Sequence, residues 1–369
     1  MAQGALRRAG RWLLVALAIG YVPIALTATL DDFLPGVPRL QLLLDRTVGG
    51  EEYATGTGSV RALRAVDYLD HRVLMLVHTV LGAVCLALAV RQLVGPARRH
   101  RIAGRVHVLL VTVSMAAAVL FLLASEPGPG SGQAAFRAQL WVLAASTLGT
   151  AWLAALEARR GNFGSHRAWM VVHVAFLMTA PTLRLAWTVV VPLLPGRTML
   201  ANIESGAVLL AVAAPAAGVL VALRPALAEH GLSPGPGSRR RGWVGPTLLV
   251  SSGVAAVLIV AAAVAPSAGL VWFHVVPVVA VAAWCAVALE PAGDGAVVWW
   301  CAASMPWAVL ALALPATVAS DPWTALVTGL MVAPGFPLVA AMSFVLARHA
   351  ARERASFDEV PDRLPSGAV

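Results

Sequence analysis

Apolar runs of the length a bilayer demands recur from one end of this sequence to the other, and that leaves few folds open. Crossing the hydrocarbon core as a helix takes roughly 17–25 apolar residues. Ten such runs are present, at about 12–30, 72–94, 106–125, 138–156, 168–194, 205–223, 244–264, 269–289, 296–318 and 323–347. They lack the period-two alternation of a barrel strand, so the backbone must be satisfied within helices. The expectation is an all-α, polytopic integral membrane bundle of about ten transmembrane helices. Composition agrees: 59% of the 369 residues are hydrophobic and only 12% are charged, too few to coat a soluble surface of this size.

The basic residues give the orientation. All of them are arginine, and they sit in short clusters between the apolar runs rather than in one stripe, so a net charge of +9 reads as membrane topology and not as nucleic-acid binding. With ten spans, one side receives Arg7, Arg8, Arg11, Arg91, Arg98, Arg99, Arg101, Arg105, Arg159, Arg160, Arg167, Arg224, Arg239 to Arg241, Arg348, Arg352, Arg354 and Arg363. Seven others (Arg39, Arg46, Arg61, Arg64, Arg72, Arg137, Arg197) fall opposite, and Arg184 lies within a span. Positive charge stays inside, which predicts a plasma-membrane protein with both termini cytoplasmic. The first run is longer than a signal-peptide core and has no clean small-x-small site after it, so it reads as an anchor.

The chain divides into an anchor and external segment (1–65), a core bearing histidine and arginine (66–224), a flexible cytoplasmic linker (225–243), a C-terminal bundle (244–347) and a cytoplasmic tail (348–369). The linker carries Ser-Pro-Gly-Pro-Gly-Ser followed by three arginines. The external segment is expected to include a short surface helix at 60–69. Cys85, Cys285 and Cys301 lie within apolar runs and read as small buried hydrophobes.

Nine histidines would yield roughly 0.2 pairs at a spacing of seven by chance. Three occur: His71/His78, His100/His107 and His166/His173, each with arginine after its first member. Seven residues are nearly two helical turns, so the members of a pair share a face about 10 Å apart along the axis. The third and fifth spans run in one direction and each begins at its His-Arg pair. His100 and His166 are therefore expected near the cytoplasmic headgroups, with His107 and His173 at a common depth about two turns further in. Facing imidazoles in a bundle can hold a b-type haem axially; alternatively each bonds a neighbouring carbonyl or hydroxyl. His100, His166, Arg101, Arg105 and Arg167 would neutralise haem propionates or a lipid phosphate, or else only anchor the chain. The layer offers too few ligands for zinc, and no metal site is assigned.

His78 is about 33 Å of helix from His100 and belongs in the outer half, apart from the His107/His173 layer. Arg184 lies roughly 16 Å beyond His173, at the depth of His78. An arginine there is costly and needs a partner. Carbonyls freed by Pro181, an external carboxylate or a bound anion would each serve. His78 and Arg184 are accordingly a candidate anion-binding pair. No acid lies well inside any run, which disfavours a carboxylate proton relay.

His78 in a His-x-x-x-Gly helix, His100-Arg101-Ile102-Ala103-Gly104-Arg105, His166-Arg167-Ala168-Trp169-Met170 and Thr182-Leu183-Arg184 resemble a family of bacterial predicted membrane proteins, the domain of unknown function numbered 2306 (DUF2306). The resemblance covers about residues 66–195. It implies a four-helix membrane core with those polar positions and no settled activity. His107, where the family more usually has tyrosine, and His173 depart from its pattern.

Three functions stay open: a membrane redox protein with haem b between His107 and His173; a transporter or lipid- or anion-binding protein using His78 and Arg184; or an assembly subunit partnering another membrane protein. No P-loop, dinucleotide fingerprint, G-x-S-x-G or H-E-x-x-H is present.

Overall fold

The computed structural model describes residues 2–34, 36–57, 59, 62, 67–94, 100–125, 131–193, 214–223, 279, 295–316, 318, 322–333 and 335–358. Every regular element among them is helical: α1 (Ala2–Leu30), α2 (Leu40–Gly49), α3 (Glu51–Thr55), α4 (Arg72–Val94), α5 (His100–Ala124), α6 (Ser131–Arg159), α7 (Phe163–Leu177), α8 (Thr179–Leu193), α9 (Ala214–Leu223), α10 (Gly295–Ala303), α11 (Met305–Ala316), α12 (Pro322–Val332) and α13 (Gly335–Asp358).

Six helical stretches are long and apolar enough to cross a membrane, or seven if the bent pair α10–α11 is one span. The expected ten are therefore not all present among the described residues. The runs at 12–30, 72–94, 106–125 and 138–156 lie within straight helices α1, α4, α5 and α6. Their fellow at 168–194 is divided at Met178 into α7 and α8, where Pro181 withholds an amide from the ladder. The run at 296–318 bends by 43° at Ser304, one residue ahead of Pro306. The runs at 244–264 and 269–289, the linker and most of the external helix expected at 60–69 lie outside the described residues.

Antiparallel neighbours α4, α5 and α6 bury Cys85, Val111, Met115, Ala144 and Ala151 against one another. Helix α1 closes one flank by packing Ala18 on Leu86, Ala89 and Val174. The largest apolar core joins the two parts of the chain: Trp169, Val172 and Phe176 of α7 meet Val219 of α9, Trp299 of α10 and Met342 of α13. Small residues permit the closest approach: a Cβ on Gly329 of α12 would stand 2.6 Å from the Val309 carbonyl oxygen of α11.

Helices α2 and α3 are too short to span and fold back over the end of the bundle that carries Arg184. Tyr53 donates to the Trp187 carbonyl at 2.9 Å, and the Gln41 amide reaches the Thr188 hydroxyl at 3.3 Å. Thr29 of α1 and Thr79 of α4 bond each other at 2.8 Å beneath them.

Candidate functional site

Two histidine layers stand between the parallel helices α5 and α7. In the first, the rings of His100 and His166 lie 6.0 Å apart, edge to face, and the His166 Nδ1–H donates to the Ala154 carbonyl at 2.9 Å. Arg101, Arg105 and Arg167 are exposed around this end. Two turns deeper, His107 and His173 are 1% and 0% exposed, and their Nε2 atoms are 2.8 Å apart. The shared depth follows from equal spacing on two co-directional helices.

The hydrogen bonds of the deeper pair fix its tautomers when both rings are neutral. A carbonyl only accepts, so His173 Nδ1 is the donor to Thr147 O at 3.0 Å. His173 Nε2 then accepts and His107 Nε2 donates, which leaves a lone pair on the buried His107 Nδ1 with no partner. Two axial metal–nitrogen bonds of about 2 Å each would hold the Nε2 atoms about 4 Å apart. As they stand, the residues form a hydrogen-bonded dyad into which a haem iron does not fit. Among the described residues no group of three or more histidine, cysteine, aspartate or glutamate side chains is arranged to hold a metal ion.

His78 is remote from that dyad and clasps α5 instead. Its Nδ1–H donates to Ser114 O at 3.2 Å, and the Ser114 hydroxyl donates to His78 O at 2.9 Å. Ser114 lies seven residues beyond His107 on α5, which gives the separation in depth.

Arg184 acts electrostatically on both His78 and Asp45. Asp45, on α2, is 4% exposed and accepts from Gln41 at 2.7 Å and Thr188 at 3.3 Å. Burial pushes its carboxyl above the ordinary range, against the opposing pull of those two hydrogen bonds and of the Arg184 charge. Of the partners expected for Arg184, an external carboxylate is thus nearby, yet no ion pair within 4.0 Å forms. The guanidinium lies 5.7 Å from the Trp187 ring centroid, one turn along α8. The indole N–H of Trp187 is buried and lacks an acceptor. A buried N–H without an acceptor and a guanidinium without an ion pair thus stand side by side beneath the α2–α3 cap.

Three other arginines described at this end find acceptors, and a fourth, like Arg184, lies over an aromatic ring. Arg39 pairs with Asp31 at 2.6 Å and with Asp32, and Arg46 pairs with Glu51 at 2.8 Å. Arg72 covers the Phe33 ring at 5.4 Å, and Arg137 donates to the Ser125 and Leu122 carbonyls.

Sequence reasoning missed Asp45 and Trp187. Gln41 four residues before Asp45 marks a shared polar face, and Trp187 lies three residues from Arg184. Neither spacing reveals that α2 folds back onto α8.

Fold and site together define a polytopic helical membrane protein with a buried histidine dyad at one level and a capped arginine at another. Residues 70–223 match the model of the family described as Predicted membrane protein (DUF2306). The DUF2306-like character read from the sequence is thereby shown, and the matched segment runs past residue 195 to include α9. No curated protein matches the chain, and no solved structure does.

Proposed function

We propose that this is a plasma-membrane transporter or lipid-handling protein that binds an anionic group, a carboxylate or a phosphate, at Arg184 beneath the α2–α3 cap. One observation carries the reading: the Trp187 indole N–H is buried without an acceptor, and the Arg184 guanidinium, with no ion pair within 4.0 Å, lies 5.7 Å from that ring. Arginine within a span is costly even away from its centre, and a buried N–H without an acceptor adds to that cost. An anion bridging the two would offset both. His78 stands on the far side of Arg184, and Asp45 supplies a charge that the ligand must outcompete.

The same reading puts both termini in the cytoplasm. Exposed Arg101, Arg105 and Arg167 then lie on the inner face, while the internally paired arginines lie outside. Reporter fusions at the two ends test that arrangement.

The binding test is thermal unfolding of purified protein in neutral detergent with added phosphatidylglycerol, phosphatidylcholine or inorganic phosphate. An anionic ligand raises the midpoint of the wild type and leaves Arg184→Gln unmoved. Stabilisation that survives Arg184→Gln overturns the assignment. Response to inorganic phosphate alone identifies a soluble anion, and response to phosphatidylglycerol alone identifies a lipid.

A haem b between His107 and His173 is the second reading, supported by two fully buried imidazoles at one level. It requires the dyad to break, α5 and α7 to part by more than about 1 Å, and a slot wide enough for the porphyrin to open between them. Protein from haem-replete cells would then show a Soret band that His107→Ala abolishes; colourless protein ends this reading.

A further inference from the structure

A second site lies on the opposite side of the core, at the seam with the C-terminal helices. A cavity of about 100 Å³ is enclosed by Gln139 and Ser146 of α6, Phe176, Thr179, Pro215 and Phe336. The family-matched segment supplies one wall, and α12 and α13 supply the other.

Its walls are mostly apolar, with Gln139, Ser146 and Thr179 as the polar residues. Gln139 is 7% exposed, and its Oε1 is buried without a hydrogen-bond partner. Buried polar atoms are almost always answered, so an orphan amide oxygen at a cavity calls for an occupant. Water is a poor candidate. The space is several times the roughly 10–15 Å³ that one water requires, and polar groups form only a small part of its lining. An ion is excluded by the lack of any charged side chain in the lining. The occupant must be apolar over most of its surface and must present a donor to Gln139.

We infer that this cavity binds a hydroxyl-bearing apolar molecule from the lipid phase, a phenol, quinol or long-chain alcohol, with its O–H donated to Gln139. The amide presents both an acceptor and a donor, which suits a hydroxyl better than a charged head. Residues 142, 143 and 146 follow Gln139 at helical spacing on one face of α6, so the apolar body lies along that helix. The C-terminal helices then complete a binding site that the family-matched segment only half encloses. This inference is independent of Arg184.

Equilibrium dialysis of the detergent-solubilised full chain against 1-naphthol and naphthalene tests it, since the two probes differ by one hydroxyl. The wild type should bind both saturably, with 1-naphthol about tenfold tighter. Gln139→Leu should retain naphthalene binding and lose that preference. Val339→Trp should fill the cavity and abolish both. Equal affinities in the wild type, absence of saturable binding, or a preference that persists in Gln139→Leu overturns the proposal. Gln139→Leu removes only polar atoms from an apolar wall, so the test stands even where Val339→Trp fails to fold.

Discussion

His107 and His173 share one hydrogen bond, Nε2 to Nε2 at 2.8 Å, between rings set 84° apart. Each ring is the other's answer in a region with no water to substitute. Removing either strands a buried nitrogen, whereas removing both strands none. Polar pairs within membrane bundles couple by about 0.6 kcal/mol on average and about 1.7 kcal/mol at most. A His107→Leu/His173→Leu cycle, read by denaturant unfolding in mixed micelles, should give a coupling near the upper value. Strictly additive losses would count against the bond.

Arg137 holds the far end of α5. Its guanidinium donates to the Ser125 and Leu122 carbonyls, which the helix itself leaves open at its C-terminus. Arg137→Met should cost about 1–3 kcal/mol. Arg137→Lys should recover little, because an ammonium lacks the fork that reaches two carbonyls together. Unfolding midpoints of the two variants decide the point.

Asp45 predicts a pH dependence with a definite sign. Its carboxyl in the folded chain sits above the ordinary 3.8, chiefly through burial. The folded state therefore holds the proton more tightly than the unfolded state. The contribution of Asp45 to stability is fully present below 3.8 and is lost as pH rises through the folded value. Asp45→Asn should flatten this part of the stability profile and equal or exceed the wild type at neutral pH. An unchanged slope between pH 4 and 7 would show that another group governs it.

Gly329 allows α12 to lie against α11. A methyl group there would meet Val309 O at 2.6 Å, and backbone cannot swing aside as a long side chain can. Gly329→Ala should cost about 1–3 kcal/mol despite alanine's better helix propensity. A stabilised variant would show that the two helices separate easily.

The sequence made depth legible more readily than contact. A fixed rise per residue places His107 level with His173 and His78 far from both, and the structure has them so. Whether the facing nitrogens hold a metal or one another depends on an interhelical spacing of an ångström or two, which no periodicity encodes. Asp45 was hidden for another reason. A ten-residue helix outside the spans carries no signal for the direction in which it folds. Gln139 carries no signal of its own in the sequence; its burial beside the cavity depends on the packing of α12 and α13. Six or seven of the ten expected spans are present among the described residues, and two more, at 244–264 and 269–289, lie outside them; the prolines at 181 and 306 interrupt two runs without removing either as a candidate span.

The paired rungs His100/His166 and His107/His173 tie α5 and α7 at two heights with the same seven-residue step. Sliding one helix past the other by a turn would throw both rungs out of register at once. The two helices are thus pinned against translation along their axes.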